Sequence, residues 1–437
     1  MRLHIVQPTH YVDRTSKRLF RIDKLSVSPL TLPYLAALVP PGIDLALMDE
    51  RTGGLDTSVR CDCVFMTVWT LNSIRAYELA DHYRDRGVKV VMGGPHCYFH
   101  TDEALQHADA VAIGEGENLI PGIISDLSAG RLEKVYRSEH PHDLVGLPVP
   151  RRDLAGKKNL KIFHAVAVQT SRGCPNSCEF CAERMYLGPK YRMRPVDEVI
   201  EEIRAVKSKQ ILFVDSTLAG SRSRTMQLME KLVPFRLRWS ALWTADRVLD
   251  REFMELAKRS GLLHINLGIE SIKQETLNDL NKKTTSASKL GEVVKTLRDM
   301  DISFSFNFIF GTDTDTIEDF EATLKFLMEH RVHAAFFNTL SPHKGTRMYD
   351  TLLEQGRIID PANLNRWPGL AVEIIPRNYS ADELLEQIRH LYKKFYSWRS
   401  ILRRLPFPLS EAAMASWFVN ISQRKMTKGN IEDFDDF

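Results

Sequence analysis

Short apolar runs alternate with amphipathic stretches along most of the chain. In the first third the runs Leu3–Val6, Asp44–Met48, Cys63–Val68, Val88–Met92 and Ala110–Ile113 predict strands. Leu30–Val39 and Ile74–Arg86 between them read as helices. The second sets Ile74, Tyr77, Ala80 and Tyr83 at three-residue steps near one face. Five strands interleaved with helices predict a doubly wound parallel sheet over residues 1–135, with ligands expected at the carboxyl ends of its strands. The loops at those ends are Gln7–His10, Thr67–Leu71, Gly93–His96 and Gly114–Glu117.

Residues 136–160 lose the alternation. They mix His140, Pro141, His142, Pro148 and Pro150 with charge, and predict an interdomain linker with surface histidines. Strands resume at Ala165–Gln169, Gln210–Val214, Arg238–Leu242, Ile265–Ile269, Ser303–Phe308 and Ala335–Thr339, with room for a helix between each pair. Pro195 opens one of these helices, with Val199, Ile200, Ile203 and Val206 on one face. Six such repeats within residues 161–348 are too few for a closed eight-fold barrel, which takes about 250 residues. Residues 349–437 read as a helical segment. It carries the basic and aromatic run Tyr392–Tyr396 with Trp398, Arg399, Arg403 and Arg404, and the expectation is a helix that covers the open face of the barrel. The acidic end, Glu432–Phe437, reads as frayed.

Composition narrows the class. A net charge of +3 is too small for a nucleic-acid footprint. No apolar run approaches the roughly 20 residues of a membrane span. The start of the chain is not a signal peptide, so the expected setting is the reducing cytoplasm.

Three of the six cysteines, Cys174, Cys178 and Cys181, fall in one short stretch right after a predicted strand. A tetrahedral zinc site wants a fourth protein ligand, and the next histidine is His264. Three thiolates at one point suit three corners of a [4Fe–4S] cubane with its fourth iron open. Cys61 and Cys63, with no third ligand near them, read as buried side chains.

The spacing C-x-x-x-C-x-x-C resembles the signature of the radical S-adenosylmethionine (radical SAM) enzymes. The resemblance implies a partial (β/α)6 barrel and S-adenosylmethionine held at the open iron. Reductive cleavage then gives a 5′-deoxyadenosyl radical that takes hydrogen from substrate. It also implies an electron donor such as flavodoxin or ferredoxin. In that family the aromatic before the last cysteine, here Phe180, lies near the adenine. Gly268–Ser271 resembles the family's G-I-E-S stretch and makes Glu270 and Ser271 candidates for the cofactor. Asp215 and Asn307, at other strand ends, join them. Trp243, Asp246 and Asn338 are candidates for a small-molecule substrate. Phe310–Asp313 and Ser341–Thr346 resemble two further family stretches, with Asp313 and Lys344 in place of prolines.

Gly93–His96 and Ala108–Glu117 resemble the cobalamin-binding-type domain that precedes many radical SAM barrels. The D-x-H-x-x-G signature is absent. Cys97, Tyr98 and Phe99, with Trp69 in the neighbouring loop, stand where small residues are usual. These rings suggest a filled site, so cobalamin is possible but doubtful. Glu115 and Glu117 read as caps of the helix that follows.

The whole is an α/β protein: a doubly wound, Rossmann-like domain of cobalamin-binding type, then a partial radical SAM barrel, then a helical C-terminal segment. The function expected is hydrogen abstraction without cobalamin from a polar small molecule, such as a sugar or aminosugar, ending in dehydration, epimerisation or oxidation. The alternatives are a cobalamin-dependent C-methyltransferase and a non-catalytic iron–sulfur or corrinoid carrier.

Overall fold

The computed structural model describes residues 1–12, 17–156, 160–366, 371–406 and 410–428. The chain divides into two compact units, residues 1–167 with 186–188 and 365–367, and residues 168–185 with 189–364 and 368–437. The acidic end, Glu432–Phe437, lies outside the described residues.

The strands of the first unit are β1 (Arg2–Gln7), β2 (Leu25–Ser28), β3 (Asp44–Asp49), β4 (Cys63–Thr67), β5 (Lys89–Gly93), β6 (Ala110–Ile113), β7 (Val135–Arg137) and β8 (Leu160–Val168). Six of them form one parallel sheet in the order β3-β1-β4-β5-β6-β7. The order reverses between β1 and β4, so the crevice at their carboxyl ends is the topological switch point. β2 and β8 pair in parallel with each other. Helices α1 (Thr31–Ala37), α2 (Ser73–Asp85), α3 (Pro95–Phe99), α4 (Thr101–His107) and α5 (Gly116–Ser128) connect the strands. Alternate residues of β4 feed separate cores: Val64 and Met66 pack with Ala80 and Tyr83 of α2, Cys63 and Phe65 with Ile120 and Ile124 of α5. All five predicted strands form. The sixth, β7, was missed because three residues ending on an exposed arginine make no apolar run.

In the second unit β9 (Ser171–Arg172) and β10 (Arg192–Met193) make a short antiparallel pair. β11 (Gln210–Phe213), β12 (Arg238–Trp243), β13 (Leu262–Glu270), β14 (Ser303–Phe310) and β15 (Ala334–Thr339) lie side by side and parallel, as a partial (β/α) barrel requires. At the end of β8, Val168 O accepts from Val214 N at 3.1 Å. The helices are α6 (Glu183–Leu187), α7 (Val196–Val206), α8 (Arg222–Leu232), α9 (Arg251–Ser260), α10 (Gln274–Asp279), α11 (Leu290–Asp299), α12 (Ile317–Glu329), α13 (Arg347–Glu354), α14 (Ala381–Phe395), α15 (Trp398–Arg404) and α16 (Glu411–Lys428).

Strand β14, Ser-Phe-Ser-Phe-Asn-Phe-Ile-Phe, shows how the barrel is filled. Its four phenylalanines are buried and stack with rings of the outer layer, Phe310 on Phe320 of α12 at 4.5 Å. On its other face Ser303, Ser305 and Asn307 join a polar ladder. His264 meets Ser303 Oγ at 2.8 Å and Ser305 Oγ at 3.1 Å, and Asn266 Oδ1 accepts from Ser305 and Asn307. The ladder continues into α16, where Ser416 Oγ lies 2.8 Å from Ser303 Oγ and 3.0 Å from His333 Nδ1. Ser303 begins β14 and His333 precedes β15, so α16 sits at the amino-terminal ends of these strands. The expected C-terminal cover is therefore at the opposite end from the cysteine loop.

Candidate functional site

The cysteine loop leaves β9 through Gly173, whose φ of +80° lies in the left-handed region that glycine adopts at little cost. Cys181 N donates to Cys178 O at 3.2 Å and closes a tight turn. The loop is tied to the turn after α10: Glu179 N donates to Leu280 O at 3.2 Å and Asn281 Nδ2 to Ser177 O at 2.7 Å. All three thiols are partly exposed and unbridged. Burial pushes Cys181 up to about 11, with Glu183, Cys178 and Cys174 adding to the effect against a backbone hydrogen bond. The thiols thus lie within electrostatic reach of one another. Among the described residues no three His, Cys, Asp or Glu side chains converge as on a single metal ion. A cubane does not ask for that, because its thiolates bind separate irons at separate corners. The donor set, three sulfurs and no fourth, fits a cluster with one open iron.

Beside the loop stands a buried ion pair, Glu270 Oε1 to Lys282 Nζ at 2.7 Å. Glu270 ends β13 at a shift in register, and its φ of +67° is strained for a residue with a side chain. A Cβ at Gly268 would lie 2.6 Å from Glu270 Oε1 and 3.0 Å from Lys282 Nζ, so a side chain there would make the pair shift. Burial works against the Lys282 charge, but Glu270 and the thiols of Cys178 and Cys174 hold it above its ordinary range. Lys282 carries no sequence signal. It enters the site only because the turn after α10 folds against the cysteine loop.

Asp215, just past β11, is fully desolvated, which raises its carboxyl above the ordinary range despite its hydrogen bonds. Its Oδ1 accepts from Thr170 N and Ser171 Oγ, both at 2.8 Å, and from Ser171 N, fixing the chain that enters the cysteine loop. Its Oδ2 and the nearby Thr217 Oγ1 are buried without a hydrogen-bond partner. Two orphaned polar atoms at the carboxyl end of a strand fit a ligand that brings donors. Thr217 shares the strand end with Asp215 but carried no assigned role in the sequence.

The remaining candidates make these contacts. Phe180 packs against a cluster that contains Leu340, Leu352 and Ile374. Ser271 Oγ accepts from Lys273 N at 3.1 Å and shapes the turn after β13. Asn307 donates to Asn266 at 2.8 Å within the barrel ladder. Asp246 is exposed, and Asn338, also exposed, donates to Phe308 O at 3.1 Å. Trp243 is 1% exposed, its ring edge-on to Trp239 and to Phe253 of α9, in the layer between sheet and helix. The two departures from the family stretches keep ordered turns. Asp315 Oδ2 accepts from Gly311 N and Thr312 N, both at 3.0 Å, while Asp313 pairs with Arg357 and Arg377. Thr346 caps α13 after Gly345 turns the chain.

In the first unit the crevice at β1 and β4 differs from the expectation of a filled site. Cys97 is fully buried in the core and Tyr98 packs against that core, edge-on to Phe99 and Tyr186. Helix α3 turns these groups off the end of the sheet. Trp69 is 54% exposed. At Gly94, φ +104°, a Cβ would lie 2.7 Å from Val68 O, so the turn after β5 presses backbone to backbone against the end of β4. The indole of Trp69 is thereby left in solvent beside this turn. His96 is committed to Tyr77 Oη at 2.7 Å and Thr70 Oγ1 at 3.3 Å, in keeping with the missing histidine-ligand signature. Glu115 stands at the N-cap of α5 and Glu117 in its first turn, as expected, though the two side chains accept from His142 N and Tyr34 Oη, both at 2.5 Å, rather than from the helix.

Residues 168–327 match the radical SAM superfamily. Over 95% of this chain and 92% of its own length, the bacteriochlorophyllide d C-12(1)-methyltransferase of Chlorobaculum tepidum is 28% identical. The hopanoid C-3 methylase of Methylococcus capsulatus is 28% identical over 86% of this chain and 78% of its own. The structure of the radical S-adenosylmethionine methyltransferase TsrM from Kitasatospora setae, with cobalamin and a [4Fe–4S] cluster bound, superposes with a TM-score of 0.67. It covers 88% of this chain and 84% of that one at 18% identity, a likeness of fold. These methyltransferases overturn the expectation of a cobalamin-free enzyme of sugar type. The doubt about cobalamin rested on rings taken to fill the crevice, whereas Tyr98 packs against the core and Trp69 is exposed. The three-cysteine loop at the carboxyl end of a parallel barrel and the match along that barrel make residues 168–327 a radical SAM domain, in a chain that shares its overall fold with TsrM.

Proposed function

We propose that this protein is a cobalamin-dependent radical SAM methyltransferase that methylates carbon in a small-molecule substrate. The reading is carried by the likeness, along nearly the whole chain, to an enzyme named for methyl transfer. The exposed Trp69, at the strand-end loop beside Gly94, supports it.

Each group has residues that suit it. Cys174, Cys178 and Cys181 would hold three irons of a [4Fe–4S] cluster. Glu270, paired with Lys282, and Asp215, with one unpartnered oxygen, would take the amino and ribose donors of S-adenosylmethionine, with Ser271 and Phe180 beside them. Trp69 would cover one face of a corrinoid, which when bound serves as a carrier of methyl groups. The protein's own part is to orient and to exclude water. The Glu270–Lys282 pair fixes a carboxylate next to the thiols, and Asp215 holds the entrance of their loop rigid. Electrons would come from a flavodoxin or ferredoxin in the reducing cytoplasm.

The test is retention of corrinoid. The chain, reconstituted anaerobically with iron and sulfide and incubated with hydroxocobalamin, should carry stoichiometric corrinoid through gel filtration, seen in its visible spectrum. Trp69→Ala should lower the retained fraction. A full chain that emerges with its cluster but without corrinoid rules the reading out.

A further inference from the structure

The last helix is built inside out. An amphipathic helix normally buries its apolar face and turns its polar one to water. In α16 the buried positions include Ser416, Asn420 and Gln423, and Ser416 and Asn420 bond into the barrel. Asn420 Oδ1 receives the guanidinium of Arg404 at 3.0 Å, and its Nδ2 donates to His333 O at 2.8 Å. The outward positions are Met414, Phe418 and Ile421, at the i, i+4, i+7 spacing of one face. Phe418 is 65% exposed. Helix α15 buries Ile401 and Arg404 while Trp398 and Leu402 face out. The two outer faces meet where Arg424 of α16 lies 5.0 Å from the centre of the Trp398 ring.

Charge says what this surface fits. Residues 387–428 hold nine Lys and Arg and a single acidic residue, Glu411, in a chain whose net charge is only +3. Glu411 is itself paired with Arg238. Lys393, Lys394, Arg399, Arg403 and Lys425 are exposed around the apolar residues. A second copy of the chain is a poor occupant, since a two-fold interface would set these cations against themselves. Nucleic acid leaves the aliphatic centre without a role. Apolar and aromatic side chains ringed by lysine and arginine are the pattern of a surface that lies in a bilayer interface, the apolar groups among the acyl chains and the cations at anionic headgroups. No described helix is long and apolar enough to cross a membrane.

We propose that the outer face of α15 and α16 docks this protein on the surface of an anionic lipid bilayer. The test is flotation of the full chain with vesicles of phosphatidylcholine alone or mixed with phosphatidylglycerol. The mixed vesicles should carry the protein up, with roughly tenfold or greater preference over neutral ones, and raised salt should weaken the binding. Phe418→Ser with Ile421→Ser, and separately Arg399→Gln with Arg403→Gln, should each lower binding to mixed vesicles about tenfold, while circular dichroism and gel filtration stay those of the parent. Equal partition to both vesicle types overturns the proposal. So does a salt-resistant dimer that Phe418→Ser dissociates, which gives the face to a second copy. Binding that appears only after residues 429–437 are deleted gives it to that acidic segment and also overturns it.

Discussion

At the scale of single residues, the Glu270–Lys282 pair shows how the site is held. Both side chains are more than nine-tenths buried, and each is the other's ion-pair partner. Removing one partner of such a pair leaves an uncompensated buried charge, which costs about 3–5 kcal/mol, whereas removing both costs far less. Lys282→Met should therefore lower stability in urea by about that amount, and Lys282→Met with Glu270→Gln should recover most of it. A double variant no better than the single would mean that the pair is not what stabilises this turn. Cofactor cleavage should stay impaired in the double variant, since the carboxylate beside the thiols is gone.

At the scale of elements, the polar ladder between β13, β14 and α16 replaces an apolar barrel interior with hydrogen bonds. Its central group, His264, is buried between two serine hydroxyls, and desolvation lowers its pKa from 6.5 to about 4. The unfolded chain then binds the proton more readily than the folded one, so stability from this group rises with pH. The contribution is complete above pH 6.5 and is lost as the pH falls toward 4. The window corresponds to about 3 kcal/mol. The stability difference between the parent and His264→Gln, from denaturation at a series of pH values, should shrink by that amount between neutral pH and pH 4. A difference that does not move with pH would show that the imidazole titrates normally.

For the whole molecule, the C-terminal segment belongs to the barrel rather than lying over it. Tyr392 Oη accepts from Phe337 N at 3.0 Å, and Tyr396 Oη exchanges bonds with Ala335 N and O at 3.2 and 2.8 Å. Phe395 packs edge-on to Phe337. Arg404 is fully buried without a carboxylate, bonded instead to the carbonyls of Val332, His333 and Phe395, with its guanidinium 3.5 Å from the Phe395 ring centre. Each buried aromatic side chain of this kind contributes about 1.5–3 kcal/mol by burial, more than a marginally stable unit can lose several times over. A chain ending at residue 364 should lack a cooperative thermal transition for the barrel and should bind a hydrophobic dye. A sharp transition in the shortened chain would show that the barrel is complete without these helices.

Periodic apolar runs and one cysteine spacing determined the two α/β units and the superfamily, because strand alternation and a local ligand set are written in neighbouring residues. Cys174, Cys178 and Cys181 needed no fold to be noticed. Where Tyr98 and Trp69 point was not a local matter: Tyr98 of α3 packs against the core while Trp69, in the loop after β4, stays in solvent, and side-chain direction follows from what each segment packs on. Lys282 reached the site through a turn that only tertiary packing brings there. The inverted face of α16 was invisible too, since a helix with polar residues on one side and apolar on the other has the same periodicity whichever side is buried. The sequence carries the pattern, and which face meets the barrel is decided by hydrogen-bond partners far away in the chain, Ser303, His333 and Arg404.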